Sequence, residues 1–296
     1  MKPSHLDRVL CLISLQLTAC MAEVRFDEPG DGGGPTSGSS AGGNSGSATA
    51  GTTISVGTSS AGTSGSGGET GQEAAALVAE QCPDVAAEAH FCLTLNYPNQ
   101  LYAVGPDTGN FCHLGDVDGL SGGGDMSSIA VIGPYVHGCS YDQGVWRAPV
   151  LGGAADILDV ECEALTEYQG GVLLQSAPFE TLEHYDSFES MAGGMPVQSL
   201  QVDGQFTRIT MRGDTLYAAW HSTNLIERHL LPTGDLEPLS LDPFDDWING
   251  MSVTSDGRIY VNSIDRMVGF DVDTGAQLQV ADVELGLLRG LHCWSN

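Results

Sequence analysis

"SDGRIYVNSIDRMVGFDVDTG", residues 255–275, holds two short runs of alternating apolar and polar residues, separated by small polar residues and closed by Asp273-Thr274-Gly275. Alternation with period two marks a half-buried strand, and a glycine supplies the positive φ that a tight hairpin turn needs. Whether the stretch is one hairpin or a repeated unit decides the fold, so recurrence is the test.

It recurs. Strand-like runs with a small or polar end appear as "HFCLTL" (90–95), "YVHGCS" (135–140), "VLLQS" (172–176), "LYAAWHS" (216–222) and "IYVNS" (259–263). With Cys92, Val136, Leu173, Tyr217 and Tyr260 as markers, the steps are 44, 37, 44 and 43 residues. Each run after the first is preceded by a further strand pattern, such as "SSIAVI" or "FTRITM", and every run is followed by another, such as "LYAVG" or "MVGFDV". Turns at Asp107-Thr108-Gly109, Thr233-Gly234-Asp235 and Asp273-Thr274-Gly275 lead into fourth strands such as "NFCHLGDV" and "AQLQVADV". Four short antiparallel strands per repeat of about 42 residues describe a β-propeller blade. The last run, "LLRGLHCW" (287–294), reads as a first strand with nothing behind it, while the N-terminal unit starts at its second strand. Joined, they complete one blade and leave no open edge. The expectation is an all-β, five-bladed propeller over residues 72–296; a six-bladed alternative would need four strands from residues 72–90, which read as helical or irregular.

Residues 249–275, "NGMSVTSDGRIYVNSIDRMVGFDVDTG", resemble a blade of the NHL, YVTN and quinoprotein-like propeller group. The likeness is good over 248–283, fair over 204–241, and poor in the third blade, where "FETLEHYDSFESMAGG" lacks the turn signature. That group binds many kinds of ligand, so the resemblance implies architecture and not function. Asp271 and Asp273 are read as turn formers rather than ligands.

The N-terminus predicts export. Lys2 and Arg8 flank the start, "VLCLISLQLTA" forms an apolar run too short to span a bilayer, and Leu17-Thr18-Ala19-Cys20 resembles the bacterial lipobox, in which the cysteine is lipidated. Residues 1–19 are accordingly read as a lipoprotein signal peptide and Cys20 as the lipidation site; the competing reading is a plain signal peptide cleaved after Ala19 or Ala22. Met21 rather than Asp after Cys20 resembles cargo sorted to the outer membrane. Residues 20–71 are expected to be the lipidated N-terminus and a disordered tether, which from Asp27 to Gly71 is almost all Gly, Ser, Thr and Ala and spans roughly 35 to 40 Å as a random coil. The location expected is a lipid anchor in the bacterial envelope, periplasmic or surface-facing, with no other membrane contact.

Besides Cys11 and Cys20, six cysteines remain, none in a C-x-x-C pair, which in an exported chain favours disulfides over a metal site. Six cysteines allow fifteen pairings; the set most compatible with blade order is Cys92 with Cys293, Cys139 with Cys162, and Cys82 with Cys112. The net charge is -28, and the only lysine is Lys2. Such a chain repels phosphate, which excludes nucleic acid as a partner.

There is no H-E-x-x-H and His221 stands alone; the two G-x-S-x-G matches, Gly38–Gly42 in the Gly/Ser-rich segment and Gly119–Gly123 in a Gly-rich loop, lack the strand-to-helix setting of a nucleophile elbow. Five-bladed glycosidases, the closest enzymatic comparison in blade number, converge several inner-strand carboxylates. Here Glu163 and Glu167 are the acids of one inner strand, Asp125 borders a second, and Arg208 and Arg289 are the charges on others. Hydrolysis therefore ranks third. Loops between fourth and first strands share a propeller face with those between second and third strands. This face is expected to carry Tyr141, Asp142, Asp245, Asp246, Trp247, Asp265 and Arg266 as a ligand surface, with Asp116, Asp118 and Asp125 as a candidate Ca²⁺ loop. No other cofactor is expected. The leading reading is a non-enzymatic binding scaffold for an envelope or extracellular protein; the alternative is a lectin-like glycan-binding or calcium-dependent ligand-binding propeller. A sugar binder should expose Trp or Tyr at equivalent points of several blades.

Overall fold

A computed structural model describes residues 71–296 apart from 122–125, 178–180, 203, 220–224, 232–234, 242–243 and 245. The signal peptide, Cys20, the tether, Asp125, Asp245 and His221 lie outside the described residues.

Five small sheets form a ring, antiparallel except where the short strand Gly153–Ala154 pairs in parallel with the outer strand of the first blade. From the axis outward, blade 1 is Leu288–Ser295, His90–Asn96, Gln100–Val104 and Phe111–Asp118; blade 2 is Met126–Ile132, Tyr135–Ser140, Gly144–Pro149 and Asp156–Leu158. Blade 3 is Ala164–Tyr168, Gly171–Gln175, Thr181–Tyr185 and Gln198–Gln201; blade 4 is Arg208–Arg212, Thr215–Ala219, Leu225–Leu230 and Asp235–Ser240. Blade 5 is Gly250–Val253, Arg258–Asn262, Arg266–Asp271 and Gln277–Asp282. Each innermost strand touches the innermost strands of both neighbouring blades, round to blade 1 again. The five-bladed expectation holds, and residues 72–90 form the helices Gln72–Gln81 and Pro83–Ala86 instead of a sixth blade. No helix among the described residues is long and apolar enough to cross a membrane.

The second strands differ from the expected half-buried alternation. Every residue of His90–Asn96 and Gly171–Gln175 is buried, because each blade packs both its faces against neighbours. Alternation toward solvent survives in outer strands such as Phe111–Asp118. Inner strands of adjacent blades do not share a backbone ladder. Hydroxyls join them instead: Leu165 N–H donates to Ser128 Oγ (2.7 Å), Val253 N–H to Thr210 Oγ1 (3.3 Å) and Cys293 N–H to Ser252 Oγ (2.9 Å).

The Asp-Thr-Gly turns are frame. Asp271 Oδ1 accepts from Thr274 N–H (2.8 Å) and Thr274 Oγ1 (2.7 Å). Gly109 and Gly275 have φ of 78° and 71°, and a Cβ on either would lie 2.2 Å from Asp282 O or 2.1 Å from Ser240 O, on the outer strand of the preceding blade. Glycine there is required both by the turn and by blade-to-blade contact. Blade 3, which lacks the signature, connects its third and fourth strands through the helix Phe188–Ala192, capped by Ser187 and packed through Phe188 and Met191.

The ring closes where Leu288–Ser295 pairs with His90–Asn96. Disulfides join Cys92–Cys293, Cys139–Cys162 and Cys82–Cys112, the pairs that blade order favours, and they imply an oxidising, exported setting. Beside the closure, buried His90 places Nε2 2.9 Å from Asp256 of blade 5 and Nδ1 3.3 Å from Asp107 of blade 1. Burial works to raise Asp107, but hydrogen bonds from Gln279, His90 and Tyr260 hold it below the usual carboxylate range; Asp256 is lowered against burial by Thr254, His90 and Arg258.

Two expectations follow from this seam. Replacing Cys92 and Cys293 by alanine releases a loop spanning 201 positions, against 23 for Cys139 and Cys162. Chain entropy assigns about 5 and about 3 kcal/mol to these closures, so the first double variant should show the larger drop in thermal midpoint by calorimetry. Because both carboxylates titrate lower when folded, their stabilisation is present above about pH 4 and is lost as pH falls through the folded values. Asp256→Asn should therefore lower the midpoint at pH 6, and the gap from the parent chain should shrink below pH 4.

Candidate functional site

On the face where fourth-to-first and second-to-third loops meet, the axis opens into a cavity of about 700 Å³. Blade 2 contributes Tyr141, from the turn after its second strand. Glu163 enters blade 3, and Thr207 and Arg208 enter blade 4. Asp246, Trp247 and Asn249 enter blade 5, Ile264 follows its second strand, and Leu287 and Arg289 enter blade 1.

A disulfide sets the first pair. Cys139 lies two residues before Tyr141 and Cys162 one residue before Glu163, so their bond holds two neighbouring blades together at the point where Tyr141 Oη donates to Glu163 Oε1 at 2.9 Å. Enclosure, and then the negative charge of Glu163, pushes the Tyr141 phenol up to about 12, so it stays a donor at neutral pH. Arg208 is buried, with Nε donating to Asn249 O (2.8 Å) and Nη1 to Thr207 O (2.5 Å); main-chain carbonyls thus fix its direction. Arg289 lies over the ring of Tyr97, 5.9 Å from its centroid. Asp246 accepts from Trp247 N–H (2.8 Å) and pairs with Arg266 (3.1 Å), and these contacts hold its carboxyl low against the effect of burial.

The rim is apolar and open. Trp247 is 61% exposed, Ile264 54%, Tyr97 53% and Tyr141 47%. Tyr97 and Tyr141 follow the second strands of blades 1 and 2 directly, so two of the five blades expose a tyrosine at an equivalent point.

Of the residues expected on this face, Tyr141, Asp246 and Trp247 line the cavity, and Arg266 stands behind Asp246. Asp142 does not join them. Its carboxylate accepts from Ser140 Oγ (2.6 Å) and Ser121 Oγ (2.8 Å), which lower its pKa, and it braces its own turn. Asp265 is exposed and outside the lining. Glu163, Arg208 and Arg289 stood out in the sequence only as inner-strand charges. The signal that would have placed Glu163 at the mouth is the pairing of Cys139 with Cys162.

Glu167 faces a smaller cavity of about 310 Å³ at the opposite end of the axis, together with His292, whose pKa enclosure lowers to about 4. Four residues of strand, about 13 Å, separate Glu163 from Glu167, more than the roughly 5 to 9.5 Å between the paired carboxylates of glycoside hydrolysis. A third hollow, also about 700 Å³, lies on the outer rim near Cys82–Cys112, where Asp84, Asp282 and Glu284 are its charged lining. The axial mouth is the better candidate because its polar groups converge from every blade.

Asp116 and Asp118 belong to the strand Phe111–Asp118 rather than to a wrapping loop, and Asp116 is 3.2 Å from both Gln100 and His113. Among the described residues no three His, Cys, Asp or Glu side chains converge as a metal site.

No family model and no curated protein matches the chain. Similar solved structures include glutaminyl cyclase from Myxococcus xanthus, at 13% identity, covering 54% of this chain and 71% of that one with a TM-score of 0.43. A protein of unknown function from Bacteroides caccae has 8% identity, 70% and 99% coverage and a TM-score of 0.46. A symmetrical protein from work on de novo evolutionary emergence has 12% identity, 68% and 97% coverage and a TM-score of 0.49. None of these likenesses is close enough to assign a role to any residue of this chain.

The strand setting of Asp116 and Asp118 leads to a plain expectation. The thermal midpoint of the chain should be the same in excess EDTA and in millimolar Ca²⁺ if Asp116 and Asp118 serve only their strand; a rise of several degrees with Ca²⁺ would show that they bind it together with Asp125, which lies outside the described residues.

Proposed function

We propose that this chain is an exported lipoprotein whose propeller is a non-enzymatic binding module, taking its ligand at the axial mouth. The observation that carries the reading is the open apolar rim of Trp247, Ile264, Tyr97 and Tyr141 above a floor of fixed polar groups. Side chains of this size left exposed together mark binding surfaces, and a mostly apolar hollow with a few convergent polar groups is the usual form of a ligand site. The wide spacing of Glu163 and Glu167 supports binding over hydrolysis. The lipobox at Leu17–Cys20 supports anchoring through Cys20, and the tether that follows would present the ring to partners away from the membrane surface. Resemblance to the NHL, YVTN and quinoprotein-like group is read as shared blade design.

Aromatics at equivalent points of two blades favour a glycan over a protein partner as the ligand. Two measurements test this reading. Cys20→Ser should move the chain from the detergent phase to the aqueous phase in a cloud-point partition. On a glycan and peptide array, the full chain should bind a defined subset of ligands, and Trp247→Ala should lose that binding without a change in melting curve. Retained binding in Trp247→Ala would move the site elsewhere.

A further inference from the structure

One acid at the mouth has half of its carboxylate unused. Glu163 is 8% exposed, and its Oε1 accepts from the Tyr141 hydroxyl at 2.9 Å. Its Oε2 takes no hydrogen bond from the described residues, yet it is not sealed in the interior; it opens on the cavity that Glu163 lines. A carboxylate can accept from several donors, and buried polar atoms are almost always bonded, so this oxygen calls for a donor from outside the chain. Asn249 stands in the same lining in a similar condition. Its main chain is engaged: O accepts from Arg208 Nε (2.8 Å) and Gly290 N–H (3.1 Å), and N–H donates to Asn262 O (2.8 Å). Its carboxamide has no partner among the described residues. Glu163 is held from its backbone too, with N–H donating to Gln175 O (2.9 Å) and the disulfide-bonded Cys162 just before it.

Resting on the reading of the mouth as a ligand site, we propose that its ligand is a neutral saccharide, with one ring hydroxyl donating to Glu163 Oε2 and a second hydroxyl bonded to the Asn249 carboxamide. A sugar hydroxyl both donates and accepts, so it suits an acceptor-only carboxylate and an amide alike. The two side chains start from fixed backbones, which limits the entropy lost on binding. Exposed Trp247 offers a flat apolar face for the C–H side of the ring, and a volume of about 700 Å³ lies in the range of small-ligand sites. The described lining sets two arginines, Arg208 and Arg289, beside two carboxylates, Glu163 and Asp246, so the count favours neither sign of charge on the ligand. Beyond its enclosure, the Tyr141 phenol is pushed up by Glu163 and drawn down by Arg208, so that guanidinium stands close to the same carboxylate. An ammonium brought to Glu163 would approach Arg208, and a carboxylate brought there would face Glu163 itself. A hydroxyl meets neither repulsion.

The test is a fluorescence titration of the full chain with neutral trisaccharides of glucose, galactose, mannose and xylose, each beside its O-methylated form. A galacturonate and a glucosamine trisaccharide serve as charged counterparts. At least one neutral sugar should bind about tenfold or more tightly than its O-methylated form, as a hydrogen bond to an ionised acceptor implies, and more tightly than either charged sugar. Among single-deoxy analogues of that sugar, one should bind the parent chain about tenfold more weakly, while Glu163→Gln should bind that analogue and the intact sugar equally. Such coupling between one hydroxyl and one side chain marks direct contact rather than a structural role. Where Glu163→Gln alters the melting curve, Asn249→Ala should show the same coupling at a second hydroxyl. Tighter binding of either charged sugar, equal binding of a sugar and its O-methylated form, or a deoxy penalty unchanged in both variants would overturn the inference and leave the binding-module reading standing. Binding by no member of the panel would overturn it as well, while the array comparison with Trp247→Ala decides the module reading separately.

Discussion

The pairing of the C-terminal strand Leu288–Ser295 with His90–Asn96 underlies the rest of the structure, because a blade is buried on both faces only when it has a neighbour on each side. Without this pairing the cluster between the fifth and first blades, which includes Val104, Tyr260, Met267, Leu288 and Leu291, would open to water. Large apolar side chains contribute about 1.5 to 3 kcal/mol each on burial, so losing several is comparable to the whole net stability of a domain. Ring closure is therefore a cooperative event, and the seam is where the chain places its strongest specific restraints. Cys92–Cys293 makes the closure covalent; His90 bridges Asp107 and Asp256 across it; Asn262 Nδ2 donates to Gly290 O at 2.9 Å from the adjoining blade.

Closure also creates the site. The five inner strands lie close together, with Gly250 packed against Gly290 of the next blade and Arg208 buried, and a cavity lies at each end of the axis. The charged groups at one end come from turns and strand entries, where the backbone leaves the ladder and can aim a side chain along the axis. The Cys139–Cys162 bond ties two of these departures together just before Tyr141 and Glu163. A restraint that reads as structural in the blade order therefore also sets the geometry of the mouth.

The architecture was legible because it rests on local chemistry repeated at a regular step. Residues 255–275 show a complete unit, with Asp271 forming the turn and Gly275 fitting against Ser240 O of the preceding blade. The third blade was poorly legible because its connection is a capped helix, Phe188–Ala192, whose residues carry no turn signature. At the site, aromatic and acidic residues in loops could be assigned to a face but not to a depth. Tyr141, Asp246 and Trp247 reach the cavity, whereas Asp142 is drawn to Ser121 and Ser140. Arg208, Arg289 and Glu163 were visible as charges on inner strands, yet their convergence depends on ring closure and on the loop entering each blade, which no single repeat encodes.

The acidic composition has different consequences at different distances. At ranges beyond about 8 Å at physiological ionic strength, salt screens the surface charge, and what remains acts mainly to keep molecules apart and to turn away dense polyanions. Inside the mouth the neighbouring groups decide, and there the described lining sets two arginines, Arg208 and Arg289, beside two carboxylates, Glu163 and Asp246. A ligand approaching the mouth thus crosses a surface that penalises dense negative charge before it reaches a described lining in which both signs are present in equal number.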